Sequence, residues 1–204
     1  MLDKKGFDLW ANDYEESVKR SDGEDSYPFA GYKNILNEIY RRILSENCKD
    51  VLDIGFGTGV LAFGLYQKGL NVWGQDFSAE MLEIARKKMP RAVLCQKDFS
   101  KGLSEELKVR RYGAIVATYS LHHLNDDKKA EFLKELRALL NPNGKIYIGG
   151  VAFQTRAELL RCKEEYADRW DEDEIYFVFD ELKPQFENIS FTRFSKCSGL
   201  IEIS

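Results

Sequence analysis

Histidine is nearly missing from this chain: His122 and His123 stand side by side and are the only two. That leaves little for a metal centre, since adjacent side chains are expected to diverge and no third ligand is evident at metal-ligand spacing. Cysteine is sparse and scattered. Cys48, Cys95, Cys162 and Cys197 form no C-x-x-C pair, which argues against a metal ribbon or a dithiol motif and reads as reduced thiols in the cytoplasm. Excess positive charge is also lacking. The net charge of −4 gives no general attraction to nucleic acid or to an anionic membrane. No apolar run approaches transmembrane length, and MLDKKGFDLW lacks the apolar core of a signal peptide. Repeats, low-complexity tracts and linkers are absent too. The expectation is a soluble, cytoplasmic protein.

What is present is an alternation. The 204 residues, 44% hydrophobic and 31% charged, suit one domain with a sizeable core. From residue 49 on, strand-like runs alternate with helical ones: KDVLDIG, then VLAFGLYQKG; LNVWGQDF, then SAEMLEIARKKM; RAVLCQKDF; YGAIVATYS, then DDKKAEFLKELRALL; and KIYIGGVAF after the turn NPNG. Such an order predicts a doubly wound α/β fold, a parallel sheet with helices on both faces. Residues 1–48 hold no convincing strand and two helical stretches, WANDYEESVKR and GYKNILNEIYRRILSE. Between them, residues 21–31 combine turn formers with acids, poor material for a rigid core. After residue 153 come a charged helix (QTRAELLRCKEEYADRW), a second helix near FDELKPQF and a closing hairpin over 188–203. One domain of three parts follows: a helical N-terminal cap (1–48), a ligand-binding core (49–153), and substrate-side helices with the hairpin (154–204).

The most specific stretch is VLDIGFGTG, residues 51–59. Gly55, Gly57 and Gly59 follow a buried strand at the first crossover, where a sharp turn and a ligand close to backbone both call for glycine. A dinucleotide loop reads GxGxxG, but Val60 stands where its last glycine should be. Asp53, two residues before the first glycine, suits a ligand with a cationic amino group and would repel a pyrophosphate. Asp76, at the end of the second strand, is placed to take both ribose hydroxyls and disfavours a phosphate there. Asp98, followed by Phe99, ends the third strand. Together these acids point to a nucleoside ligand without polyphosphate, and an NAD-dependent oxidoreductase ranks last.

With these motifs the chain resembles the class I S-adenosylmethionine-dependent methyltransferases, and among them is similar to the small bacterial YrrT-type proteins. The resemblance rests on VLDIGFGTG, GQDFSAEML, Asp98-Phe99, TYSLHHL and LLNPNGKI. It implies a Rossmann-like, seven-stranded, mostly parallel sheet with a C-terminal antiparallel hairpin and a helical N-terminal lid. It implies S-adenosylmethionine as cofactor. Gly55, Gly57 and Gly59 would lie under its methionine part, with Asp53 at the amino group and Asp76 at the ribose. Phe77 and Met81 would pack on the adenine, which Asp98 and the Phe99 backbone would read. Thr118 would border the sulfonium, and Tyr14 would close the pocket over it.

For the chemistry, Tyr14, Tyr119 and His122 are expected to line the acceptor side. Positioning is expected to carry the reaction, with His122 the one candidate base and no metal. The basic ARKKMPR cluster suits a helix C-terminus, so nucleic-acid contact is not expected. Asn141-Pro142 precedes the fifth strand and is not the Asn/Asp-Pro-Pro-Tyr motif of amino-methyltransferases. The leading reading is methyl transfer to a small molecule; an RNA or protein acceptor and a non-catalytic cofactor-binding protein are the alternatives. The acceptor and the oligomeric state are not legible in the sequence.

Overall fold

The computed structural model describes residues 26–204. Tyr14, the first N-terminal helical stretch and residues 21–25 of the turn-rich segment lie outside the described residues. Helix α1 (Tyr32–Ser45) leads into β1 (Asp50–Ile54), α2 (Val60–Gln67), β2 (Asn71–Asp76), α3 (Ala79–Lys88) and β3 (Val93–Gln96). Then come α4 (Glu105–Lys108), β4 (Tyr112–Thr118), α5 (Asp126–Arg137), β5 (Leu140–Phe153) and α6 (Arg156–Glu165). The chain closes with β6 (Phe177–Val178), α7 (Phe179–Leu182), β7 (Ile189–Arg193) and β8 (Ser198–Ile203).

The strands form one sheet in the order β3-β2-β1-β4-β5-β8-β7, with the two-residue β6 pairing the end of β5. Strands β1 to β5 run parallel, whereas β8 enters antiparallel between β5 and β7. The strand order turns outward in both directions from β1 and β4, and this puts a crevice at their carboxyl ends. The expected doubly wound sheet with its closing hairpin is what forms.

Alternation along the strands sorts their side chains into two layers. Val51, Ala114 and Val116 pack with Ile35, Ile39 and Ile43 of α1 and with Leu61 and Leu65 of α2. Leu52, Ile54, Ile115 and Ala117 face the other way, onto Phe132, Leu133 and Leu136 of α5. Each such buried side chain contributes about 1.5–3 kcal/mol relative to exposure, so α1 is a structural layer of the sheet. Its first turn also reaches the crevice.

Several local expectations are corrected. Residues 26–31 are anchored: Tyr27, Phe29 and Ala30 are buried, because the YPFA run carries apolar surface that its acidic neighbours obscure in the sequence. Helix α5 is capped by Asn125, just before the DDKKAEFLKELRALL run; the Asn125 side chain accepts from the Lys128 amide at 2.9 Å. The NPNG stretch lies inside β5, where pairing passes from Tyr112–Leu140 to Ala114–Lys145 and the residues between bulge out. The charged helix ends at Glu165 and continues as a 3-10 turn, Ala167–Arg169. Among the described residues, no helix is long and apolar enough to cross a membrane.

Candidate functional site

The crevice at the carboxyl ends of β1, β2 and β4 opens into a cleft of about 730 Å³, solvent at its mouth included. Its floor is the loop after β1. Gly55 and Gly57 adopt φ of 69° and 54°, values that favour glycine. At Gly55 a Cβ would lie 2.4 Å from the Cβ of Ser120, so this loop and the one after β4 touch closely. The Ser120 hydroxyl locks that approach by donating to the Ile54 carbonyl at 2.8 Å. At Gly57, which lines the cleft, a Cβ would meet no protein atom within 4 Å.

Two acids share this floor. Asp76 accepts from the Gly57 amide at 2.9 Å through one oxygen and from the Ser78 amide at 2.9 Å through the other. Asp53 is 2% exposed, and its Oδ1 has no hydrogen-bond partner among the described residues. Burial, with the nearby Asp76 charge, pushes its carboxyl up to about 8. An orphaned buried carboxyl oxygen is costly, and a cation or donor arriving in the cleft removes that cost. Among the described residues, no lysine or arginine lines the cleft. A pyrophosphate would find no counter-charge there, whereas a cationic amino acid end would find two carboxyl groups.

The remaining walls are apolar or aromatic. Phe77 and Met81 line one side, the latter in the first turn of α3, which Ser78 caps. Phe99 opens the 3-10 turn after β3. Thr118 ends β4, and Tyr119, the next residue, takes the left-handed backbone conformation with φ 50°. Its ring packs between Phe29 and Tyr32, with both centroid separations 5.2 Å. A strained backbone of this kind persists where packing holds it, and here it aims a ring into the cleft.

Of the residues expected at the site, Asp53, Gly55, Gly57, Asp76, Phe77, Met81, Phe99, Thr118 and Tyr119 all line this cleft. Gly59 does not line it; it caps α2 with φ 76°. Asp98 stands outside the lining with its side chain 42% exposed, capping the turn through the Ser100 amide at 2.9 Å. Burial works against its charge, but the Ser100 hydrogen bonds and Lys101 outweigh it and hold the carboxyl below its ordinary value.

His122 is displaced from its expected place: the cleft wall carries His123 instead. The two histidines share one 3-10 turn, Leu121–His123, which turns His122 toward Glu174, 3.4 Å from its Nε2. Nor do the two rings diverge; their centroids are 4.2 Å apart. Burial, then Lys129, pushes His122 down to about 3; burial, then His122, pushes His123 down to about 4. Both imidazoles are neutral at pH 7, and His122 is a poor base. Tyr32 and Leu36, two further lining residues, were not expected at the site. Their apolar spacing on α1 reads as core packing, and only the tertiary fold brings that first turn to the crevice.

The match to known proteins agrees with this geometry. A model of the methyltransferase domain matches residues 51–144. An uncharacterized methyltransferase of Alkaliphilus oremlandii is 32% identical over 180 residues, covering 88% of this chain and 80% of the relative. One from Bacillus cereus is 31% identical, covering 96% of this chain and 94% of the relative. The chain belongs to the class I S-adenosylmethionine-dependent methyltransferase family. Solved methyltransferases share its fold. A DhpI–SAH complex superposes with a TM-score of 0.71 at 18% identity, covering 98% of this chain and 94% of that one. Magnesium protoporphyrin IX methyltransferase from Synechocystis PCC 6803, with bound SAH, gives 0.68 at 17% identity and 98% coverage of both chains. For a methyltransferase, a cleft that bears acids and, among the described residues, no lysine or arginine is an appropriate receptor: the donor molecule carries cations and no phosphate.

Proposed function

We propose that this methyltransferase transfers the methyl group of S-adenosylmethionine to a small-molecule acceptor at the Tyr119–His123 side of the cleft. The observation that carries the reading is the buried Asp53 oxygen, unpartnered among the described residues, in a cleft whose described lining holds no lysine or arginine. When bound, S-adenosylmethionine supplies a methyl group on a cationic sulfur, already electrophilic. What the chain must do is bind, orient and exclude water. Asp53 would hold the amino group. Asp76 keeps lone pairs for the ribose hydroxyls after accepting two amides, because a carboxylate has about four acceptor sites. Phe77, Met81 and Phe99 would flank the adenine, with the ionised Asp98 at the rim for its amino group.

A compact acceptor fits the enclosure. Tyr32 and Tyr119 form an aromatic wall on one side, with Phe29 packed against both rings. Among the described residues, no basic side chain lines the cleft to grip a phosphate polymer. Two solved proteins of the same fold take small partners by name: DhpI, in a complex with SAM and HEP, and the magnesium protoporphyrin IX enzyme. The test is an acceptor screen that reads S-adenosylhomocysteine release, run beside total RNA and protein from a bacterial lysate. Turnover with a small molecule supports the reading. Methylation of only the macromolecular fractions contradicts it.

A further inference from the structure

Next to the cleft wall, a second group of side chains converges that methyl transfer does not require. One donor atom each from His122, His123 and Glu174 lies within 4.8 Å of both others. His122 Nε2 and Glu174 Oε1 are 3.4 Å apart, long for a good hydrogen bond. Two ligands bound tetrahedrally at zinc's bond lengths of about 2.05 Å would stand about 3.3–3.4 Å apart. The pair is therefore already at a metal-ligand separation.

The carboxylate is held there by contacts of its own. The Ile175 amide donates to the His122 carbonyl at 2.9 Å, which ties the segment bearing Glu174 to the histidine turn. Lys129, with its side chain only 1% exposed, donates to the Ile175 carbonyl and to Asp126. The second oxygen of Glu174 accepts from the Tyr176 hydroxyl, which in turn meets the Tyr27 hydroxyl. Outer contacts of this type fix ligating carboxylates in metal centres. Asp171 and Asp98 add negative charge around His123, and Lys129 is the cation on the other side.

We propose that His122, His123 and Glu174 form a binding site for one divalent transition-metal ion with zinc's ligand preferences. Three protein donors leave a fourth position for water or for an oxygen or sulfur of a bound molecule, the arrangement of open rather than structural zinc sites. Because His123 belongs to both the donor set and the cleft wall, the ion sits beside the acceptor side of the cleft. The proposal does not depend on which acceptor is used.

The test is titration of untagged, chelator-treated full-length protein with zinc sulfate by calorimetry, and with cobalt(II) by absorption. The expected result is one ion per chain, tetrahedral cobalt d–d bands, and no sulfur-to-cobalt charge-transfer band. Glu174→Gln and His123→Asn should each weaken binding roughly tenfold or more, with circular dichroism confirming that each is folded. Cys95→Ser should change nothing. If a variant does not fold, the cobalt spectrum of the native protein decides by its geometry and donor type. Absence of binding, affinity unchanged in folded Glu174→Gln, or a thiolate band in the cobalt spectrum overturns the proposal.

Discussion

The Asp76 carboxylate and the Gly57 amide are joined at 2.9 Å, so the end of β2 holds the glycine loop of β1 in its ligand-ready shape. One acid thus shapes the cleft floor as well as facing the ligand. Removing it should act on both. Asp76→Ala is expected to weaken S-adenosylhomocysteine binding by about 1–3 kcal/mol, the cost of lost charged hydrogen bonds. Asp76→Asn retains one acceptor and should lose less. Calorimetry on folded variants checks this; unchanged affinity in Asp76→Ala would remove the assignment.

Asp53 sets a pH dependence whose sign follows from its environment. Its carboxyl sits at about 8 in the free protein, against an ordinary 3.8. A cationic ligand binds the ionised form, so below pH 8 binding must release a proton. Affinity should rise by about tenfold per pH unit at most up to that point, then level. Calorimetry at pH 7 in buffers of different ionisation enthalpy should show close to one proton released. A buffer-independent heat would contradict the account.

The same shift makes Asp53 a stability liability in the free protein. Because the folded value lies above the unfolded one, the native state is favoured most below 3.8 and loses that advantage as pH rises to about 8. Asp53→Asn should therefore raise the melting temperature of the free protein at pH 8.5 by several degrees, with little change at pH 4. It should also bind cofactor much more weakly. A variant less stable at pH 8.5 would show that the carboxyl has a partner after all.

Gly55 and Gly57 should separate folding from binding. Gly55→Ala places a Cβ 2.4 Å from that of Ser120 and should destabilise the fold by about 2 kcal/mol or more. Gly57→Ala meets no protein atom, so it costs only the backbone strain, about 1–2 kcal/mol. It nevertheless sets a methyl group in the cleft and should cut cofactor affinity disproportionately. Thermal melts and ligand titration on both variants read the contrast. Equal losses of binding per unit of stability would oppose it.

Much of this site was legible because the chain writes it locally. The strand, glycine turn and helix of 51–67 are contiguous, Asp76 ends the strand beside β1, and Phe99 opens the turn after the next strand, β3. Residues that reach the site by tertiary packing were not legible. Tyr32 and Leu36 read as core positions of an amphipathic helix. Glu174 sits in a charged stretch resembling a solvated surface, and tertiary contacts of Lys129, Tyr176 and the Ile175–His122 bond bring it to the histidines. The exchange of His122 for His123 at the cleft turns on the rotation of one 3-10 turn, which residue spacing does not specify. Strand β6 is two residues long, too short to show a period.

The central claim is that this cleft receives a cationic nucleoside and not a phosphate-bearing one. Titration of the wild-type protein with S-adenosylmethionine, S-adenosylhomocysteine and NAD by calorimetry tests it most directly. Saturable one-to-one binding of the first two, lost in Asp53→Ala, with no heat from NAD, is the predicted result. Binding of NAD, with no heat from either S-adenosyl compound, would contradict it.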